Sequence, residues 1–370
     1  MTTSLPAIGY ATRPDAVRAA LPGATLVVST PSNIRWLTSF GGSLAWVVVT
    51  PERCCLVTDG RYAERAAADL AAAALGDVVE VVVGTTRPQI RDHVVALTGR
   101  GPVRAEAAHL THAAWLDLAR DLELAPDEGT IVGLRRTKDA GELARMAWAA
   151  EIADTALTAV APLLAETPSE ADVRDELDHR MRKLGAHGPS YDTIVASGPD
   201  NAARPHHETG RRPIVEGDTV IIDVGALVDG YHSDMTRSFV VGDPTAEQQG
   251  VYDLVLEAQL AGLAAIRPGV AARDVDAVCR DMFTAAGYGD WYLHGTGHGV
   301  GLDIHEDPFA SQVSTAELQV GDVVTCEPGL YRGGFGGFRI EDLVIVTADG
   351  GRRLTHLSKD SPCLPSRPTT

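Results

Sequence analysis

The chain has 370 residues, 45% of them hydrophobic, and a formal net charge of -18 at pH 7. This length and apolar content suffice for two hydrophobic cores and predict two domains. The negative charge argues against nucleic acid and against an anionic membrane surface as partners. Five cysteines without metal-type spacing, no secretory signal pattern and no apolar run near membrane-spanning length together predict a cytoplasmic protein.

The first third of the chain alternates short apolar segments with alanine-rich stretches, which is typical of an α/β domain. The predicted strands are Thr25–Val28, Ala45–Thr50, Cys55–Thr58 and Val78–Val83, and the predicted helices are Arg61–Ala74 and Ala107–Leu122. Near Leu134 this alternation ends, and a charged segment is followed by a long stretch with apolar residues at helical spacing. We therefore place an N-terminal domain at residues 1–130 and a second domain at residues 131–370.

The second domain contains a faint internal repeat. Residues 170–186 and 272–288 align without gaps at an offset of 102, which pairs Val173 with Val275 and Gly185 with Gly287. Thr167-Pro168-Ser169-Glu170 predicts a capping box at the start of the first copy, with proline at the first helical position. Two unrelated amphipathic helices can look this similar by chance, so the alignment alone leaves duplication of a helix-containing unit as one of two interpretations.

Two aspartates lie on either side of a predicted hairpin turn. Thr219–Val224 and Tyr231–Val241 are predicted strands, and Asp229-Gly230 between them is a strong hairpin signal. Asp223 and Asp234 are separated by an odd number of residues, so a two-residue turn places them on one face of the hairpin. Asp234 could instead be an ordinary residue at a strand end.

Three further candidate ligands follow. Glu327 ends the apolar run Val323–Cys326, Glu341 lies inside Phe338–Val346, and His298 lies between glycines. Asp342, beside Glu341, is expected to point to the opposite, solvated face. As alternatives, Glu341 could face solvent and His298 could be a structural histidine.

Four carboxylates and one imidazole in or beside buried segments are too costly to bury without a cation. Oxygen-rich ligation with one nitrogen and no thiolate suits Mn, Co or Zn and excludes a cysteine-type structural zinc. Five ligands exceed the needs of one tetrahedral ion. The sequence therefore predicts two divalent metal ions, an arrangement that activates water for hydrolysis.

The motifs ASGPDNAARPHH, IIDVGALVDGYHSDMTRSF, HGTGHGVGLDIHEDP, CEPGLY and RIEDLVIVT, taken in this order, resemble the Xaa-Pro peptidases of the M24 metallopeptidase family, the prolidases and aminopeptidases P. The resemblance implies an α+β pita-bread catalytic domain with pseudo-twofold symmetry, after a smaller creatinase-like α/β domain. It also implies hydrolysis of Xaa-Pro bonds in small peptides by a metal-bridging water or hydroxide, with Mn the favoured metal, and a homodimer. The implied ligands are Asp223, Asp234, His298, Glu327 and Glu341.

Further roles are implied by the same resemblance. Glu327 would also be the general base, while His206 and His305 would hold the substrate and the tetrahedral intermediate. The remaining matched residues are His294 on the leaving-group side, Tyr331, and Arg339, which would orient the ligating carboxylates. Each of these histidines could instead be structural, and Arg339 could be an ordinary ion-pair partner. His207 has no matching role.

One departure concerns the substrate. Some prolidases carry an arginine for the dipeptide carboxylate shortly after the histidine of the IHEDP-like segment, and here Phe309 stands at that place. The sequence thus favours removal of the first residue from longer peptides as much as it favours cleavage of dipeptides, unless Arg332 or Arg35 binds the dipeptide carboxylate in place of the missing arginine. Two alternatives remain: a creatinase-like hydrolase of a non-peptide C–N bond, whose relatives lose the metal ligands, and a non-catalytic binding module.

Overall fold

The computed structural model describes residues 5–99 and 101–364. The chain divides into two compact units. One ends at Arg135 and includes Asp139–Gly141; the other contains Arg136–Lys138 and continues from Glu142. We refer to them as the N-terminal unit and the catalytic unit.

The N-terminal unit is built on a mixed sheet in the order β4-β3-β2-β1-β5-β6. Its strands are β1 (Thr25–Val28), β2 (Ala45–Val49), β3 (Cys54–Asp59), β4 (Val79–Gly84), β5 (Val103–Ala105) and β6 (Leu124–Pro126). Its helices are α1 (Arg13–Ala20), α2 (Pro31–Thr38), α3 (Ala63–Ala72), α4 (Arg87–Thr98), α5 (His112–Leu118) and α6 (Thr130–Arg135). The four predicted strands are present within one residue at each end. The helix predicted from Ala107 begins at His112, because the Thr111 side chain caps it by accepting from Ala114 N at 3.2 Å.

The catalytic unit alternates helices with short antiparallel sheets. The helices are α7 (Ala140–Val160), α8 (Glu170–Lys183), α9 (Gly198–Asn201), α10 (Ala246–Ala265) and α11 (Ala272–Ala285). The strands before α10 are β7 (Gly188–Pro189), β8 (Ile194–Ser197), β9 (Thr219–Val224), β10 (Ala226–Val228), β11 (Tyr231–His232) and β12 (Met235–Val240). The strands after α11 are β13 (Gly297–Gly299), β14 (Glu306–Ala310), β15 (Val323–Cys326), β16 (Gly329–Arg332), β17 (Gly336–Arg339), β18 (Asp342–Thr347) and β19 (Gly350–Arg353).

Helix α7 forms the centre of one hydrophobic core. Its small residues Ala149, Ala153 and Ala156 are fully buried, and they belong to the same core cluster as Leu177 of α8 and Ile222 of β9. By length and composition, the stretch 140–166 would pass as a membrane span, contrary to the sequence-based expectation that no run approaches that length. Because 61% of its apolar window is buried inside the protein, we describe it as a core helix.

The internal repeat corresponds to matching helices. α8 and α11 each have 14 residues and begin at the predicted offset of 102. Each copy has a glycine just beyond its helix, Gly185 at φ 108° and Gly287 at φ 85°, a conformation in which a side chain would be strained. The N-termini differ, because a capping box of Ser169 and Asp172 starts α8 whereas Ala271 makes no side-chain cap. The cap of α8 is thus Ser169, and Pro168 precedes it rather than opening the helix.

The predicted strand Phe338–Val346 is interrupted. β17 pairs with β16 and ends at Arg339, and β18 begins at Asp342 and pairs with β15. Ile340 and Glu341 lie between them, so the chain changes sheet at the candidate ligand. This break places Glu341 at the junction of two sheets.

Asp342 is fully buried, so the expectation that it faces solvent is wrong. Its carboxylate pairs with Arg237 Nη2 at 2.8 Å and with Lys359 Nζ, and it accepts a hydrogen bond from Thr355 Oγ1 at 2.9 Å. Burial by itself would raise the pKa of Asp342, but Arg237 and Lys359 outweigh it and hold that pKa well below its usual range. The segment around Lys359 is thereby held at the first residue of β18, directly after Glu341.

We expect Asp342→Asn to destabilise the protein by about 3 kcal/mol, because it leaves two buried cations without their anion. Urea unfolding followed by circular dichroism measures this. The matched control is Asp281→Asn on the exposed face of α11, expected to change stability by less than about 0.5 kcal/mol. Equal stabilities of the two variants would contradict the account of this cluster.

Candidate metal centre

The hairpin of the catalytic unit brings the two aspartates together. Asp229 and Gly230 have φ values of 49° and 83°, as a type I′ turn requires, and the register places Thr236 opposite Asp223. Asp234 is therefore the diagonal neighbour of Asp223 on the same face, as predicted. The hydroxyl of Tyr191 lies within hydrogen-bonding distance of both carboxylates.

The second half of the unit supplies the other three candidate ligands. His298 is on β13, Glu327 follows β15, and Glu341 lies between β17 and β18. His298 Nε2 is 3.5 Å from Asp234 Oδ2 and 3.4 Å from Glu327 Oε1. One ligand atom from each of Asp234, His298 and Glu341 lies within 4.8 Å of the others. The structure thus collects the candidate ligands from both halves at one place.

Glycine allows the strand carrying His298 to approach its neighbours. A Cβ atom at position 297 would lie 2.1 Å from the carbonyl oxygen of Thr325, and one at position 299 would lie 2.4 Å from that of Asp307. On His298, Nδ1 lies 3.0 Å from the carbonyl oxygen of Gly299 and donates to it, because that oxygen can only accept. This fixes the tautomer that leaves Nε2 as an acceptor directed at the carboxylates.

The cluster carries an excess of negative charge. Burial raises the pKa values of Asp234 and Glu341 well above their usual range, and the neighbouring carboxylates raise them further. Arg339 is the nearby buried cation: its guanidinium pairs with Asp223 and donates to Thr236 Oγ1 at 3.0 Å. Thr236 in turn donates to Glu341 Oε2 at 2.7 Å. One guanidinium does not balance four carboxylates, so the donor set suits divalent cations.

The predicted site residues lie at or near a cavity of about 920 Å³. Its lining includes nine of the ten residues singled out from the sequence: Asp223, Asp234, His298, Glu327, Glu341, His206, His294, His305 and Arg339. The tenth, Tyr331, lies behind this lining, where its hydroxyl is 2.9 Å from His294 Nε2 and 3.0 Å from Arg339 Nη1.

The three histidines differ in exposure. His206 and His305 are exposed at the cavity, whereas His294 is half-buried and contacts Gly295 O through Nδ1 at 2.7 Å. Burial lowers the pKa values of His294 and His305, and the neighbouring His298 lowers that of His305 further. Both rings are therefore neutral at pH 7, when each has one N–H donor and one acceptor nitrogen.

Sequence reasoning missed two features of the site. Tyr191, which contacts both hairpin aspartates, lies in a segment without a motif of its own. His207, left without a role, lies 3.1 Å through Nε2 from the buried carboxylate of Glu170. No local sequence pattern marks this pair, because Glu170 and His207 are 37 residues apart in the chain.

The sequence pattern of the family described as "Metallopeptidase family M24" matches residues 144–348, and that of the "Creatinase/Prolidase N-terminal domain" matches residues 23–136. The chain belongs to the M24 metallopeptidase family. It is a metal-dependent peptidase with a pita-bread catalytic unit, and the matched regions agree with the expected fold.

Curated relatives and solved structures agree with this membership. The chain is 35% identical over 335 residues to an uncharacterized peptidase of Bacillus subtilis, covering 90% of this chain and 94% of that protein. It is 41% identical over 233 residues to an Xaa-Pro dipeptidase of Pyrococcus furiosus, covering 63% and 67%. The structure of an Xaa-Pro dipeptidase from Bacillus anthracis superposes with a TM-score of 0.89 at 35% identity, covering 95% and 99%. An X-Pro aminopeptidase from Thermotoga maritima gives 0.86 at 27% identity, covering 96% and 99%.

Metal should stabilise the wild-type protein and not the Glu341→Gln variant. Adding Mn to chelator-treated wild type should raise its melting temperature by roughly 5–10 °C, since saturating ligand contributes about 3 kcal/mol. Without metal, Glu341→Gln should melt no lower than wild type, because it removes a carboxylate whose ionised form is disfavoured by burial and repulsion. Differential scanning calorimetry measures both effects.

The control is Glu257→Gln, which alters an exposed carboxylate of α10 and should respond to Mn as wild type does. A full stabilisation of Glu341→Gln by Mn would show that this carboxylate is not a ligand.

Proposed function

We propose that this protein hydrolyses the peptide bond before proline at the second position of small peptides, using Asp223, Asp234, His298, Glu327 and Glu341 to hold two divalent metal ions. The observation that carries the proposal is the single cavity lined by these five side chains and by His206, His294 and His305. The Xaa-Pro specificity of the named relatives from P. furiosus and B. anthracis supports the substrate class. Mn is the metal we favour for this oxygen-rich set, with Co or Zn as alternatives.

Glu327 is our proposed general base. Its side chain is 17% exposed, faces the cavity, and has Oε1 positioned by Thr325 Oγ1 at 3.2 Å. When bound, the metal ions would polarise the scissile carbonyl and make water more acidic. Glu327 would accept the proton of that water, which requires a carboxylate in reach of solvent rather than a fully buried one.

The histidines around the cavity provide the other functions that the reaction needs. Attack on a carbonyl develops negative charge on its oxygen, and the exposed rings of His206 and His305 can donate to it. The prolyl nitrogen has no hydrogen and must be protonated as it leaves. His294, held by Gly295 O and by the Tyr331 hydroxyl, would line the leaving-group side.

We further propose that this protein prefers peptides longer than two residues. Among its described lining residues, Arg339 is the one lysine or arginine, and its guanidinium already binds Asp223, Thr236 and the carbonyl oxygen of Pro205. Phe309, at the place where some prolidases carry an arginine, is 44% exposed and offers an apolar surface. A dipeptide carboxylate would therefore lack a cation within this lining, whereas an extended chain needs none.

The proposal also includes an N-terminal domain at 1–130, a catalytic domain at 131–370, a homodimer and a cytoplasmic location. The two family matches, 23–136 and 144–348, support two domains, with a junction a few residues beyond the predicted residue 130. The dimer and the location stay predictions from the sequence.

The deciding experiment compares Ala-Pro, Ala-Pro-Ala and Ala-Ala-Ala as substrates of chelator-treated protein reconstituted with Mn. We expect cleavage of Ala-Pro-Ala after the first residue, slower cleavage of Ala-Pro, and none of Ala-Ala-Ala, as measured by chromatography of the products. Faster cleavage of Ala-Pro would establish a dipeptidase with a cation elsewhere. If none of the three is cleaved while metal is bound, the Xaa-Pro proposal fails and a non-peptide C–N bond becomes the better substrate class.

Two substitutions separate metal binding from catalysis. Glu327→Gln should lower kcat at least about 100-fold, the usual scale for loss of a general base, while keeping at least one ion. His206→Ala should keep both ions, because it is not one of the five candidate ligands, and should lower kcat/KM about 100-fold to a residual turnover that is still measurable. Metal content by atomic emission and peptide kinetics measure the two effects; loss of metal from His206→Ala would refute the assigned role.

A further inference from the structure

A fully buried carboxylate lies beneath the loop that carries His206. Glu170, the first residue of α8, has no exposed surface. Oε1 accepts hydrogen bonds from Ser197 N at 2.8 Å, Ser197 Oγ at 2.7 Å and Asn201 Nδ2 at 3.0 Å. Oε2 accepts from His207 Nε2 at 3.1 Å and from Gly210 N at 3.3 Å. One side chain thus binds both ends and the middle of the segment 197–210.

These donors explain how the charge is tolerated. Burial alone would raise the pKa of Glu170, but the hydrogen bonds from Asn201, Ser197 and His207 outweigh it and lower that pKa. The carboxylate also lies in the first turn of α8, where the helix dipole favours negative charge. Glu170 is therefore an ionised group whose acceptor positions define where the loop must lie.

His206 lies between two anchored neighbours. On one side, the carbonyl oxygen of Pro205 accepts from Arg339 Nη1 at 2.8 Å. On the other side, His207 donates to Glu170. His206 itself is exposed and lines the cavity. The chain is thus held on both sides of this histidine, by Arg339 on one side and by the buried carboxylate of Glu170 on the other.

We propose that Glu170 and His207 form a positioning pair that holds His206 in the geometry needed for substrate turnover. The proposal rests on the function proposed above, since it assumes that His206 contacts the reacting peptide. His207 is not among the described residues that line the cavity, and its side chain bonds to Glu170, so we expect its effect on turnover to pass through the loop to His206. A positioning role requires precision within fractions of an ångström, which one lost hydrogen bond is enough to disturb.

A double-mutant cycle between His207 and His206 tests the pair. His207→Phe removes the hydrogen bond, keeps a planar ring and leaves Glu170 with its four other donors, so folding should survive. We expect kcat/KM for Ala-Pro-Ala to fall about tenfold in His207→Phe and to change less than about twofold when the same substitution is added to His206→Ala. Metal content should be that of wild type in every variant.

Two further variants sharpen the test. His207→Gln retains a donor toward Glu170 and should keep activity within about threefold of wild type. Glu208→Gln changes the next, exposed residue of the same loop and should leave activity unchanged.

An equal loss of kcat/KM in the wild-type and His206→Ala backgrounds would make His207 a merely structural residue and overturn the proposal. A His207→Gln variant no more active than His207→Phe would also overturn it. So would a loss of bound metal from either His207 variant. These results leave the Xaa-Pro function standing as long as the wild type cleaves the peptide. An inactive wild type with bound metal overturns the function and the positioning pair together.

Discussion

Repulsion among buried carboxylates is the constraint on which the catalytic unit depends. Asp234 and Glu341 are buried beside Asp223 and Glu327, and burial together with this crowding raises the pKa values of the first two. Such a cluster stays ionised only when cations are near, and among the described residues Arg339 is the cation that pairs with it. The rest of the positive charge must come from metal, so binding of the ions and stability of the fold are linked.

The ligands are distributed so that neither half of the duplicated unit can form the site alone. One half provides the hairpin with Asp223 and Asp234, and the other provides His298, Glu327 and the sheet junction at Glu341. Arg339 and Thr236 connect the halves by hydrogen bonds that end on carboxylates of both. The geometry of the candidate metal site therefore depends on how the two halves pack against each other.

Local patterns sufficed for much of this arrangement and failed where distant residues decide the outcome. The hairpin with Asp223 and Asp234 followed from strand periodicity and a turn dipeptide, both of which are properties of neighbouring residues. Local patterns did not predict the break at Glu341, because it depends on pairing with two different strands. They did not predict the burial of Asp342 either, because it depends on the distant Lys359. Tyr191 and the Glu170–His207 pair were missed for the same reason.

The ion cluster at Asp342 has a consequence for the order of synthesis. Glu341, the last candidate ligand, is synthesised before Lys359. The ammonium group of Lys359 pairs with Asp342, the residue next to Glu341. A chain that ended between these positions would keep all five candidate ligands but only Arg237 of the two buried cations that pair with Asp342 at the start of β18. We therefore expect the backbone beside Glu341 to become fixed only when the segment around Lys359 has packed against Asp342.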